Sequence, residues 1–231
     1  MKKIILGFAV LALLVLPAVG QDKEEDRVEK AGTVIKEIMD IPDDVPQDVI
    51  DRADCVVVLP SVLKFAIGIG GSYGRGVMTC RGGQGFHGPW GAPTMMALEG
   101  GSFGLQLGGQ ATDFVLLLMS SKSASSILES KVKLGGDVSA AAGPVGRNVS
   151  AETDVTMRAE ILSYSRARGL FAGISLAGST LRPDNDANKK LYGKEVSAKD
   201  IVFNKAVPAP KSASLLLATL TKKSPKNTSK N

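Results

Sequence analysis

Fifteen of the 26 glycines in this 231-residue chain fall between Gly68 and Gly109, and that density constrains the fold more than any other feature. Glycine inside a helix costs roughly 0.5–1 kcal/mol relative to alanine, so a helix does not fit there. The glycines are also too interleaved with apolar residues for a flexible linker. Such a stretch predicts Gly-rich antiparallel strands with bends and bulges.

The flanking sequence extends this reading. Strands are expected at Cys55–Leu59, closed by Pro60, at Phe65–Ile69 and at Arg75–Arg81, followed by Leu98–Leu107 and Thr112–Met119. Phe114–Met119 is apolar throughout and reads as a central strand buried on both faces. Further strands are expected at Val138–Ala142, Ile161–Tyr164 and Leu170–Leu176. Val28, Ala31, Ile35, Ile38 and Met39 follow helical spacing over Arg27–Asp40, with Pro42 as the stop, and a short helix is expected over Pro46–Ala53. Ser123–Lys131, Asp184–Tyr192 with Gly193 as its left-handed stop, and Ser212–Leu220 complete the helices. The expected class is α+β: a strongly bent, mostly antiparallel, Gly-rich sheet flanked by N-terminal, middle and C-terminal helices.

The N-terminus predicts export. Lys2 and Lys3 precede an apolar run from Ile4 to Leu16 and the small-residue ending Ala18-Val19-Gly20, the pattern of a signal peptide over 1–20, cleaved before Gln21. The expected destination is the periplasm or the exterior, with peripheral membrane association. A polar linker over 21–26, one domain over 27–220 and a disordered basic tail over 221–231 follow from length and composition. Loss of Lys2 and Lys3 lowers the formal charge from +5 to +3, too mild a balance for a nucleic-acid partner. Cys55 and Cys80 would meet an oxidising compartment. In a meander of the three strands proposed above, however, they stand at opposite edges of the sheet, so the pairing is left open.

Three motifs suggest chemistry and fail on context. Gly70-Gly71-Ser72-Tyr73-Gly74 and Gly100-Gly101-Ser102-Phe103-Gly104 match the Gly-x-Ser-x-Gly pattern of hydrolases. His87 is the single histidine, no carboxylate lies between it and Ser72, and neither serine leads into a helix. A repeated bend within one sheet accounts for both. Gly83-Gln84-Gly85-Phe86-His87-Gly88 matches a dinucleotide fingerprint, but Pro89 and Pro93 exclude the helix it requires. Asp113, Asp137 and Asp154 read as turn residues rather than calcium ligands. The expectation is a protein that is not an enzyme and uses no metal and no cofactor.

Basic residues are placed more suggestively. Lys64, Arg75 and Arg81 bracket the first hairpins, Arg147 ends Gly-Pro-Val-Gly-Arg, and Arg166 and Arg168 flank a turn before Phe171. Such a set suits a surface that grips phosphate while dipping an apolar side chain into lipid. Unrelated surface charges would give the same count.

The ordered motifs Ala53-Asp54-Cys55-Val56-Val57-Val58-Leu59-Pro60, Gly70-Gly71-Ser72-Tyr73-Gly74-Arg75-Gly76, Thr112-Asp113-Phe114-Val115-Leu116, Gly143-Pro144-Val145-Gly146-Arg147 and Gly169-Leu170-Phe171-Ala172-Gly173 together resemble the SYLF domain, a lipid-binding or actin-binding module. The resemblance runs from about Arg27 to Phe203, with Gly91 after Trp90 where the family pattern has serine. It implies binding of phosphoinositides or other anionic lipids, assisted by an N-terminal amphipathic segment, and actin binding in some members. Two partners are therefore expected: an anionic phospholipid surface, or an envelope protein or anionic glycan met by the same basic loops.

Overall fold

The computed structural model describes residues 19–41, 45–67, 69–103, 110–146, 158–167 and 170–229. Helix α1 (Val19–Met39) and the short α2 (Gln47–Asp51) precede the long strands β1 (Cys55–Ile67), β2 (Ile69–Cys80), β3 (Thr94–Phe103) and β4 (Gln110–Leu118). Helix α3 (Ser121–Glu129) leads to β5 (Val132–Lys133), β6 (Ala140–Ala142), β7 (Ile161–Ala167), β8 (Leu170–Gly173) and β9 (Thr180–Pro183). Helices α4 (Asn185–Tyr192), α5 (Ala198–Val202) and α6 (Ser214–Lys223) close the chain. Among the described residues the nine strands form one curled sheet in the order β5-β9-β3-β2-β1-β4-β7-β6, with β8 paired to β7. All ladders are antiparallel except β6–β7, so the α+β expectation holds.

Both sheet faces are covered. One carries Val56, Val58, Val77, Val115, Leu117 and Tyr164 against α1, α4 and α6, and the other carries Val57, Leu59, Met78, Phe114, Leu116 and Leu118 against α3 and α5. Phe114 to Leu118 are fully buried in β4, between β1 and β7. That agrees with the expected central strand. Helix α1 turns Val28, Ala31, Ile35 and Ile38 inward and crosses α6 at Gly32, where a β-carbon would stand 2.9 Å from the Leu216 nitrogen.

The expected three-strand meander is instead two long strands. Pro60 does not end β1, because a bulge carries the strand past it: Ser61 adopts φ 52° and its N–H donates to Asp113 Oδ1 at 2.8 Å. The bulge pushes the Val58 carbonyl and the Val62 side chain toward β2. A β-carbon at Gly76 would sit 1.9 Å from that carbonyl, and one at Gly74 2.4 Å from Val62 Cγ2. Glycine at these positions is therefore a packing requirement. With one antiparallel pair in place of three strands, Cys55 faces Cys80 and a disulfide joins them, overturning the placement at opposite edges.

Both ends of the domain also depart from expectation. Residues 21–26, expected as a linker, are helical, held by Gln21–Glu25 and Asp26–Lys30 pairs and by Glu24 folding onto Arg27. The tail expected to be disordered is tied down through Ser229. Ser224 is fully buried, Asn227 Nδ2 donates to Asp54 Oδ1 and the Phe86 carbonyl, and the Thr228 N–H donates to the Asp51 carbonyl. The bulk of the expected signal peptide, residues 1–18, lies outside the described residues.

Candidate functional site

Strand direction fixes which residues gather at each end of the sheet. Ile67 pairs Ile69, Ile69 pairs Phe103, Lys64 pairs Gln110 and Ala167 pairs Leu170. The facing ends of β1 and β2, of β3 and β4, and of β7 and β8 therefore all lie at one end, called here the hairpin end. Cys55, Cys80 and Leu118 mark the opposite end.

The hairpin end exposes large apolar side chains. Leu170 is 78% exposed at the β7–β8 corner, and Leu63 (52%) and Tyr73 (40%) are cross-strand partners on β1 and β2. Leu170 stands three strand spacings from Leu63, roughly 15 Å at about 4.8 Å per strand. Leu63 and Tyr73 share one face of the sheet and Leu170 alternates to the other, so the three are separate exposed apolar side chains gathered at one end rather than one contiguous patch.

The basic residues divide differently from the sequence reading. Arg166 donates to Asp113 Oδ2 from Nη2 at 2.8 Å and from Nε at 3.2 Å, and its Nη1 meets Glu37 of α1. Burial alone lowers the Arg166 pKa, but the hydrogen bonds to Asp113 and Glu37 outweigh it and hold the guanidinium above its ordinary value. This arginine clasps α1 onto the sheet. Arg75 is held differently: its Nε donates to Tyr73 Oη at 2.6 Å and lies 3.2 Å from Asp184 Oδ2. Arg27 of α1 is depressed by burial first and by the Arg75 charge second. The Arg75 side chain remains one-third exposed beside Tyr73, the one described cation of the expected set next to one of these apolar side chains.

Arg81 is a correction. It stands at the end opposite the hairpins, 1% exposed, with Nη2 donating to the Ser224 carbonyl and hydroxyl, Nε donating to the Ala53 carbonyl, and its guanidinium 4.2 Å from the Trp90 ring centroid. No headgroup reaches it. Phe171 is likewise occupied, stacked on Tyr164 with ring centroids 5.4 Å apart and packed against the core. Lys64 is on β1 at the hairpin end, with its side chain outside the described ones, and Arg147 and Arg168 lie outside the described residues. Leu63, Tyr73 and Leu170 were not singled out in the sequence. The available signal was Leu170, an apolar residue directly after Gly169 at a turn where polar residues are usual.

The catalytic motifs resolve into sheet. Gly70, Gly71 and Ser72 pair Ser102, Gly101 and Gly100 across β2 and β3, so the two pentapeptides are each other's neighbours. Ser72 lies eight residues along β2 from Cys80, beyond which His87 lies, a separation of roughly 26 Å at about 3.3 Å per residue. Residues 84–86 form a 3-10 turn with Gly83, Gly85 and Phe86 at positive φ rather than a nucleotide-binding helix start. Asp137 accepts from the Lys133 N–H within a turn, as expected, Asp113 is paired with Ser61 and Arg166, and Asp154 lies outside the described residues. Among the described residues no three His, Cys, Asp or Glu side chains are grouped to hold a metal, and no helix is long and apolar enough to cross a membrane.

Comparison with known proteins matches residues 99–223 to the Ysc84 family, described as Las17-binding protein actin regulator. "LAS seventeen-binding protein 3" of Saccharomyces cerevisiae (strain YJM789) is 35% identical over 169 residues, 72% of this chain and 36% of that protein. An "SH3 domain-containing protein" of Schizosaccharomyces pombe is 33% identical over 204 residues, 84% and 46% of the two chains. "SH3 domain-containing YSC84-like protein 1" of Rattus norvegicus is 32% identical over 202 residues, 82% and 56%. The matched region thus spans about a third to just over half of these relatives, whose names describe binding or domain content rather than catalysis.

Proposed function

The chain belongs to the Ysc84, or SYLF-domain, family, and on that premise we propose that it is a non-catalytic binding protein that docks its hairpin end on anionic phospholipid headgroups. The observation that carries the reading is the exposure of Leu63, Tyr73 and Leu170 at that end. Burial of such side chains in the interfacial zone supplies the apolar term, and basic residues near an anionic surface add about 1 kcal/mol each. Arg75 and Lys64 are the cations proposed for the described strands, with Arg147 and Arg168 as further candidates from the sequence. Arg81, Arg166 and Phe171 are assigned structural roles. The proposal includes export, with cleavage before Gln21 and peripheral attachment to an envelope membrane, checked by N-terminal sequencing of the fractionated protein.

The names of the relatives favour a second reading, in which the same surface meets a protein partner. Sedimentation of the chain from Gln21 with phosphatidylcholine vesicles, with and without phosphatidylglycerol, separates the two. The lipid reading expects retention on the anionic vesicles only, weakening as salt rises, and loss of retention in Leu63→Asp and Leu170→Asp. No retention on either vesicle would leave the protein-partner reading.

A further inference from the structure

The end of the sheet opposite the hairpins holds a cleft that the docking proposal does not use. Trp90, Pro89, Ile201, Val202, Val207 and Lys205 are among the residues enclosing a volume of about 230 Å³, below the roughly 300–1,000 Å³ of drug-sized sites. The Trp90 ring is fixed in place: the Arg81 guanidinium lies 4.2 Å from its centroid and its Nε1 donates to the Ser224 carbonyl at 3.1 Å. A wall held this rigidly loses little freedom when a ligand packs on it.

Lys205 is the polar element of the cleft, and its backbone is unusual. Helix α4 ends on Gly193 at φ 67°, the left-handed stop that glycine makes without cost. Helix α5 is followed by a turn in which the Asn204 and Ala206 N–H groups both donate to the Asp200 carbonyl and Lys205 holds the left-handed position at φ 49°. A lysine there pays a conformational penalty that glycine would avoid. Its side chain runs over Gly82, whose β-carbon would lie 3.5 Å from Lys205 Cε and 3.7 Å from Nζ. Among the described residues the ammonium has no ion pair or hydrogen bond. A cation kept at a strained position over an apolar cleft, without a carboxylate to neutralise it, has the form of a specificity element.

We propose that this cleft binds a small organic anion with an apolar body, with the tail against Trp90, Ile201 and Val207 and a carboxylate on Lys205. A medium-chain aliphatic carboxylate is the simplest member of the class. The site is independent of the hairpin end and stands whether or not the protein docks on membranes.

Trp90 is the single tryptophan of the chain, so intrinsic fluorescence reads the cleft directly. Octanoate, octanol and octylammonium are titrated in turn into the chain from Gln21. Octanoate is expected to shift the emission saturably and to bind at least tenfold tighter than octanol, with octylammonium weaker still. Lys205→Arg should retain the response. Lys205→Gly should lower octanoate affinity to that of octanol, with an unchanged or higher melting temperature because the left-handed turn is relieved. Equal binding of all three ligands, no saturable shift with octanoate, or an unaltered octanoate titration in Lys205→Gly would each overturn the assignment. So would a short peptide with an apolar C-terminal residue and free carboxylate binding tenfold or more tighter than octanoate, since the cleft would then be a peptide site.

Discussion

Replacing Arg81 by methionine should cost stability that no surface arginine could. Arg81 is 1% exposed and makes three hydrogen bonds, to the Ala53 carbonyl and to both oxygens of Ser224, while Nη1 has no hydrogen-bond partner among the described residues. Burial pushes the guanidinium below its ordinary pKa, and the charges of Asp51 and Asp54 oppose that. Net contributions of roughly 1.5–3 kcal/mol per bond to a charged group, plus about 2 kcal/mol for a desolvated cation–π contact, overstate the loss if summed, because burying the charge has its own cost. Arg81→Met leaves the buried Ala53 and Ser224 oxygens without their donor, at about 1–3 kcal/mol for an unsatisfied buried group, so a loss of about 3 kcal/mol is expected, a large part of a typical 5–15 kcal/mol domain stability. Urea unfolding followed by Trp90 emission measures it. A double-mutant cycle with Ser224→Ala should give a coupling of about 1–3 kcal/mol, and the Thr228 amide, bonded to the Asp51 carbonyl, should lose its exchange protection in Arg81→Met. A loss below about 1 kcal/mol, or additive single effects, would refute the view that Arg81 latches the C-terminal segment to the sheet.

Other outcomes follow from the same geometry. Arg166→Glu should place three carboxylates together beside α1 and lower stability by an amount between the about 1 kcal/mol of an exposed pair and the about 3–5 kcal/mol of a buried one, read as a fall in the melting temperature. Exchanging both Cys55 and Cys80 for serine opens a loop of 25 residues and should cost about 3.5 kcal/mol on the chain-entropy estimate, read as a fall in the urea midpoint. The Glu99 carboxyl is held below its ordinary value, first by its hydrogen bond from Arg182, then by the Arg182 charge and by Lys131. Its contribution is therefore present above the unfolded carboxyl pKa and lost as pH falls through the folded one, and Glu99→Gln should flatten the acid limb of the stability profile relative to the parent.

Local features of this fold were legible in the sequence and non-local ones were not. Helix α4 could be read from Asp184 and Gly193, which become its N-cap and its left-handed stop, because both signals act within one turn. The central strand could be read from Phe114 to Leu118 because burial on both faces leaves an unbroken apolar run. The continuation of β1 past Pro60 depends on Asp113, 52 residues away, so local turn chemistry suggested a break. The cysteine pairing stays open at the level of sequence as a consequence, because a meander puts Cys55 and Cys80 at opposite edges. Arg81 looked like a hairpin arginine because its stacking and hydrogen-bond partners, Trp90 and Ser224, lie nine and 143 residues on. For the same reason a polar tail that resembles disorder is held against Asp51 and Asp54. At the candidate site the sequence singled out Lys64 and Arg75, which lie on the strands of the hairpin end, but not the apolar residues beside them. Leu63 directly follows the buried Val62 and reads like a core residue, although the folded strand leaves it half exposed.

The orientation of the protein on a bilayer tests the central claim most directly. An environment-sensitive fluorophore is placed through a single added cysteine at Leu170 in one sample and at Lys211, next to the cleft-lining segment, in another, with the Cys55–Cys80 disulfide intact. Docking through the hairpin end predicts, on vesicles containing phosphatidylglycerol, a blue shift and quenching by lipid-borne quenchers at position 170 and neither change at position 211. Equal shifts at both positions, or a shift at 211 alone, would contradict docking through the hairpin end.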